Sequence, residues 1–255
     1  MPQQLQICQD GAYAKKQIFS RSRLIAFSHR SRFLTALALV GPLAHGKRVL
    51  DYGCGDGSFL QALLSSDSKP LQVVGAEIAR DLVDDCKNRF PIRQDAQFVH
   101  LDELGPKAQF DVIVCMEVLE HVVELEETLD RLQSLLADRG TIVISVPVET
   151  GPVLLFKQAV RTVAGWRGIG DYVWTSRYSF SEYAKSMFAG EEQRVVRPVY
   201  RNSEDLSYHC HKGFNWRNLQ RRIAKRFRIT RVLGSPFPKL PPGLGSQVWI
   251  VAERL

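Results

Sequence analysis

The sequence predicts an α/β chain built around a mainly parallel sheet. Short β-rich runs alternate with helical patterns along much of the 255 residues, the order of strand–helix–strand units. Several runs are continuous Val/Ile stretches, as in strands buried on both faces. The intervening patterns carry apolar residues at spacings of three and four.

Ser22–Val40 reads as one or two helices ahead of the first strand, Arg48–Tyr52. The further strands are expected at Leu71–Glu77, Ala96–Leu101, Asp111–Met116, Thr141–Val146, Phe227–Leu233 and Gln247–Ala252. Between them, Asp81–Phe90 is a helix stopped by Pro91. Val118–Ala137 is the clearest helical pattern. Leu119, Val122, Leu125, Leu129, Leu132 and Leu136 share one stripe, and Gly140 follows its end. After Pro147 the alternation breaks until a helix expected at Asn215–Arg226. The intervening segment holds Trp166, Tyr172, Trp174, Tyr178, Phe180, Tyr183 and Phe188 among many arginines. A segment this long is expected to be a lid or binding segment over the carboxyl ends of the strands.

Composition excludes several classes. At 45% hydrophobic and 24% charged, the chain is not disordered throughout. Cys8, Cys54, Cys86, Cys115 and Cys210 are odd in number, scattered and without a C-x-x-C pair, so they read as free thiols in a reducing compartment. The stretch Phe33–Ala44 is shorter than the roughly 20 apolar residues of a membrane span, and Met1–Asp10 lacks a signal peptide's apolar core. A cytoplasmic location is expected. The net charge of +7 is concentrated: 16 Lys+Arg against 6 Asp+Glu lie between Gly151 and Arg231. Such a segment suits either a solvated face or an anionic partner.

The first strand runs into Asp51-Tyr52-Gly53-Cys54-Gly55-Asp56-Gly57-Ser58. Glycines at a strand-to-helix turn let a ligand approach the backbone. A dinucleotide fingerprint would need a third glycine where Ser58 stands. Asp51 and Asp56 would repel a pyrophosphate but attract an ammonium and a sulfonium. Glu77 ends the second strand, where an acid can accept from ribose hydroxyls. Asp102 follows the third and could accept from an adenine amino group.

These stretches (VLDYGCGDGSF, VVGAEIA, FVHLDEL, FDVIVCMEVLEHV and GTIVISVP) resemble the Rossmann-like, class I S-adenosylmethionine-dependent methyltransferases in order and spacing over about residues 47–148. The resemblance implies a doubly wound sheet of strand order 3-2-1-4-5-7-6 with the last strand antiparallel. It implies S-adenosylmethionine as cofactor, with Gly53, Gly55 and Gly57 around its methionine portion and Asp51 and Cys54 in the same loop. Glu77 would take the ribose, Asp102 the adenine amino group, Met116 would border the cofactor, and Arg32 would meet its carboxylate. Residues 1–47 would form a helical extension and 48–255 the methyltransferase domain, with a basic aromatic lid at about 148–212.

Methyl transfer asks the protein chiefly for orientation, and an oxygen or nitrogen acceptor for a base as well. If a helix began near Glu117, then Glu117, Glu120 and His121 would share one face. Ubiquinone-pathway O-methyltransferases carry a similar C-M-E-x-L-E-H run. Small-RNA 2′-O-methyltransferases hold a metal with a similar E-x-x-E-H and a distant His, for which His209 and His211 are candidates. The catalytic candidates are His121, Glu149 and His211. Glu117, Glu120, His121 and His211 form an alternative Mg or Mn site. Val153–Arg161 is amphipathic and basic, and suits a lid helix, an acceptor roof or a membrane surface. The expected function is O-methylation of a small-molecule or lipid- or glycan-linked acceptor. RNA 2′-O-methylation and a non-catalytic cofactor-binding module are the alternatives.

Overall fold

The computed structural model describes residues 11, 13–20, 23–90, 95–105, 108–166, 178–202 and 205–255. Met1–Asp10, Cys8 among them, and Tyr172 and Trp174 lie outside the described residues. Its strands are β1 (Arg48–Tyr52), β2 (Gln72–Glu77), β3 (Ala96–His100), β4 (Phe110–Met116), β5 (Leu136–Pro147), β6 (Val199–Arg201), β7 (Ser207–His209), β8 (Phe227–Ser235) and β9 (Gln247–Arg254). Its helices are α1 (Arg23–Ala44), α2 (Ser58–Leu64), α3 (Arg80–Arg89), α4 (Leu125–Leu135), α5 (Pro152–Trp166), α6 (Phe180–Met187) and α7 (Trp216–Ile223).

Seven strands form one sheet in the order β3-β2-β1-β4-β5-β9-β8. The first five are mutually parallel, and β9 runs antiparallel to both β5 and β8. Numbered among these seven strands alone, the order is the expected 3-2-1-4-5-7-6. The chain winds outward from β1 to β3, then returns to lay β4 against the other edge of β1. That reversal leaves a crevice at the carboxyl ends of β1 and β4, where open α/β sheets bind ligands.

Because side chains alternate along a strand, each strand feeds two cores. Val49, Val73, Val112, Val114, Val143 and Trp249 face α1, α2 and α3, meeting Phe33, Phe59, Leu63 and Val83. Leu50, Ile113, Ile142, Ile144 and Ile250 face α4 and α7, meeting Leu129, Leu132, Leu219 and Ile223. The continuous apolar runs in the sequence are this burial on both faces.

Two expectations are corrected. The helix expected at Val118–Ala137 begins only at Leu125 and ends at Leu135, and β5 starts at the next residue. Glu117 takes a left-handed conformation (φ 56°), which breaks any helix from that point. Val118–Glu124 is a turn, so Glu117, Glu120 and His121 share no helix face. The aromatic segment after Pro147 holds two helices and the antiparallel ribbon β6–β7. Its α6 was announced by a capping box, in which Ser179 Oγ accepts from Glu182 N and the Glu182 carboxylate accepts from Ser179 N.

Trp249 is fully buried in the α1–α3 core, and its indole N–H donates to Ser235 Oγ at 3.0 Å. Trp249→Ala should lower stability by about 3–5 kcal/mol. Denaturant unfolding with an unchanged m-value checks this.

Candidate active site

A cavity of about 980 Å³ opens at the carboxyl ends of β1, β2 and β4. The glycine loop forms one wall. It is pinned to β2, because Gly53 N and Cys54 N both donate to the Ala76 carbonyl (2.8 and 3.1 Å). At Gly55 (φ 54°) an added Cβ would point into open space. At Gly53 it would overlap Val118, and at Gly57 it would crowd the rings of Phe90 and Phe98. Gly53, Cys54 and Gly55 therefore line the cavity, whereas Gly57 serves ring packing behind it.

The acids divide by environment. Glu77 lines the cavity while its carboxylate accepts from Gly55 N (2.9 Å), Ile78 N (2.8 Å) and Ala79 N (3.3 Å), which ties the loop to the end of β2. Asp51 is buried, and neither of its carboxylate oxygens has a hydrogen-bond partner. Burial, with the charges of Glu77 and Asp56, pushes Asp51 up to about 8. Asp56 turns from the expected role: its oxygens accept from Tyr13 N, Ala14 N and Ser58 N. Asp102 stays outside the lining, with its side chain exposed and its carboxylate beside His100 Nδ1 at 3.3 Å. The neighbouring Leu101 lines the cavity in its place.

Arg32 and Met116 line the same cavity. Arg32 Nη2 pairs with Glu117 Oε2 at 2.9 Å and Nη1 donates to the Tyr13 hydroxyl at 2.9 Å. With the Gln247 amide oriented by its hydrogen bonds, its oxygen accepts from Arg32 Nε and Nη2 (3.2 and 2.9 Å).

On the side away from Glu77, the catalytic candidates come together. His121 lines the cavity, and its Nδ1 lies 2.8 Å from the His209 carbonyl, which fixes Nδ1 as the donor and leaves the Nε2 lone pair free. The ribbon makes this contact, since His209 N also donates to the His121 carbonyl (2.9 Å). The His121 and His211 rings lie 5.0 Å apart. Behind them Glu149 is wholly buried and receives Lys157 Nζ (3.1 Å) and both terminal nitrogens of Arg161 (3.0 and 2.8 Å), while His211 Nδ1 stands 3.6 Å away, beyond hydrogen-bond distance. Burial alone would raise Glu149, but these partners hold it well below the carboxylate range. Burial and His211 press His121 below its ordinary value, so it is neutral at pH 7. Glu120 is also wholly buried, with both oxygens unpartnered, and lies 3.8 Å from His121 Nε2. Of the alternative metal set, Glu120, His121 and His211 have ligand atoms within 4.8 Å of one another. Glu117 is drawn away to Arg32.

The methyltransferase-domain family profile matches residues 23–184, more than half of the chain. The chain belongs to the class I S-adenosylmethionine-dependent methyltransferases. Among curated relatives, this methyltransferase is 31% identical over 103 residues to a ubiquinone biosynthesis O-methyltransferase of Bradyrhizobium diazoefficiens, covering 39% of this chain and 40% of that protein. It is 34% identical over 104 residues to the enzyme of that name in Coxiella burnetii, covering 39% and 43%. The match thus spans about two fifths of each relative. A solved magnesium protoporphyrin IX methyltransferase from Synechocystis shares the fold at TM-score 0.53 and 17% identity, over 92% of this chain and 88% of that one.

The sequence reading missed three members of the methyltransferase's site. Tyr13 had no local signal, because its partners lie 16 to 43 residues away. Lys157 and Arg161 were read as charges on an amphipathic helix. Their i, i+4 spacing puts both on Glu149. Cys54, Cys86 and Cys115 are buried free thiols, in line with the cysteine arithmetic.

Glu149→Gln leaves Lys157 and Arg161 without their countercharge and should cost about 3–5 kcal/mol. The folded state depresses the Glu149 pKa, so its stabilisation is full above the ordinary glutamate value and is lost as pH falls toward the depressed one. Urea unfolding across acid pH should show wild type converging on the variant.

Proposed function

We propose that this protein transfers a methyl group from S-adenosylmethionine to an oxygen of a small-molecule acceptor, with His121 as the base. The observation that carries the reading is His121 itself: on the cavity wall, neutral, with Nδ1–H committed to the His209 carbonyl and Nε2 available. The name shared by the curated relatives supports oxygen as the acceptor atom.

The cofactor fits on the chain's own chemistry. The orphaned Asp51 carboxylate suits an ammonium group, open space at Gly55 admits a ligand against the backbone, and Glu77 Oε2 retains one lone pair for a ribose hydroxyl. When bound, S-adenosylmethionine supplies an electrophilic methyl on a sulfonium. Gly53–Gly55, Glu77 and Met116 hold and orient the cofactor, and Arg32 lies within the same lining. His121 Nε2 takes the acceptor's hydroxyl proton as the oxygen attacks. The His209 carbonyl, which holds His121 Nδ1–H, favours the charge that then resides on His121.

The segment 148–212 serves as the acceptor-side lid, with Ser207 and Tyr208 of the ribbon lining the cavity. Its exposed Leu155 and Phe156 suit a lipid-linked acceptor. Three arginines among the lid's described residues are engaged within the chain: Arg201 with Asp205, Arg194 near Glu192, and Arg197 on the carbonyls of Glu120 and Cys210. That weighs against an RNA backbone as their partner. Among the described residues, no helix is long and apolar enough to cross a membrane.

One observation favours a second reading: Glu120, His121 and His211 gather a buried carboxylate and two imidazoles with unpartnered atoms. They would hold a Mg or Mn ion, which supplies Lewis acidity toward an acceptor oxygen.

Cofactor binding should be linked to Asp51. An ammonium group favours the ionised carboxylate, so affinity for S-adenosylhomocysteine should tighten as pH rises from 6 toward about 8. Asp51→Asn should flatten that slope, and Gly55→Val should abolish binding. Calorimetry at several pH values checks all three.

For the chemistry, His121→Gln should lower kcat by about 10²- to 10⁴-fold. The wild-type profile should fall as acid protonates His121, below its ordinary pKa, and stay level above it. Labelled-methyl transfer to phenolic acceptors, with and without chelator, is the measurement. Full loss in chelator, restored by Mn, would replace the base reading with the metal one.

A further inference from the structure

The segment Tyr13–Ser20 has no part in the sheet, yet its leading end is bound to residues of the cofactor cavity. It holds a short π-helical turn, Ala14–Ile18, whose Ala14 and Ile18 are buried in the core shared by Phe33 and Phe59. The leading N–H groups of a helical turn lack partners of their own. Here Tyr13 N and Ala14 N donate to Asp56 Oδ2 at 3.0 and 3.1 Å, across more than 40 residues of chain. Asp56 stands between Gly55 and Gly57, and its other oxygen accepts from Ser58 N at 3.2 Å. A side chain at Gly11 would overlap the same carboxylate. At the far end, Arg30 Nε donates to the Ile18 carbonyl (3.1 Å).

The Tyr13 side chain reaches into the cavity lining. Its hydroxyl lies 2.6 Å from His29 Nδ1 and accepts from Arg32 Nη1 at 2.9 Å. Burial pushes His29 down to about 3, so its Nδ1 is a neutral acceptor and Tyr13 O–H the donor. Arg32 is thereby held between the Tyr13 hydroxyl and the Glu117 carboxylate, with its guanidinium on the cavity wall.

We propose that Tyr13 is a positioning residue for the cofactor, acting through Arg32, and that the Tyr13–Ser20 strap carrying it seats on the cofactor-loaded glycine loop through Asp56. This rests on the cofactor reading given above. The strap's attachment point lies within the loop that holds the ligand. Anything that orders the loop therefore favours seating of the strap, and seating favours the ligand by the same factor.

The test uses the full chain, S-adenosylhomocysteine as probe, and trypsin cleavage after Lys15 and Lys16, which are exposed on the strap. Saturating ligand should slow cleavage at these two bonds at least about tenfold in wild type. Asp56→Ala should speed cleavage, remove most of that protection and weaken ligand binding. Tyr13→Phe keeps the ring and its packing but strips His29 Nδ1 and Arg32 Nη1 of the hydroxyl, so the melting temperature should fall while the dissociation constant of the folded protein rises about tenfold, the worth of one charge-assisted hydrogen bond. Should Asp56→Ala fail to fold, Tyr13→Phe and wild-type protection still decide. Wild type that binds no S-adenosylhomocysteine overturns the cofactor reading and the strap with it. Wild type that binds it with no change in cleavage, or Tyr13→Phe that binds it unchanged, overturns the strap proposal alone.

Discussion

Asp51, Glu77, Glu117, Glu120 and Glu149 crowd the carboxyl ends of the central strands, all of them buried or nearly so. A buried carboxylate must find a cation, a set of N–H donors or a proton. The site is organised by how each acid meets that demand. Glu77 takes three backbone N–H groups and so stiffens the glycine loop against β2. Glu117 takes Arg32 and thereby ties α1 to the end of β4. Glu149 takes Lys157 and Arg161, which anchors α5 over the end of β5. Asp51 and Glu120 find no hydrogen-bond partner, and burial raises both.

Structure and reactivity therefore separate along the same edge. The satisfied acids hold helices and loops in place, and two are left without hydrogen-bond partners. Asp51 faces the glycine-loop side and Glu120 faces His121 and His211. Between them, His121 is kept neutral by burial and oriented by a backbone carbonyl from the ribbon. The ribbon thus gives its His209 carbonyl to His121 and places Ser207 and Tyr208 in the cavity lining.

Much of the fold was legible because its signal is local. Runs such as Val112–Cys115 and Ile142–Val146 report burial on two faces, and α4 shows its stripe at Leu125, Leu129 and Leu132. The stripe misled at its ends. Leu119 is buried like the helix residues, but in a turn, and Leu136 opens a strand. Apolar spacing reports which side chains are inside and is blind to a single left-handed residue such as Glu117. The capping box at Ser179 is equally local, and it opens α6 within the stretch expected to be a lid or binding segment.

The sequence by itself determined the strand succession, the glycine turn after β1 and the acids that end β1 and β2, because each is written in adjacent residues. Tertiary structure alone decided what those acids do. It turned Asp56 to the Tyr13 strap, left Asp51 orphaned, put Asp102 outside the cavity and brought His211 and Glu149 behind His121. Those outcomes depend on partners as far as 90 residues along the chain, the separation of His121 and His211. The field and burial that set a carboxylate's charge come from space and not from sequence neighbours.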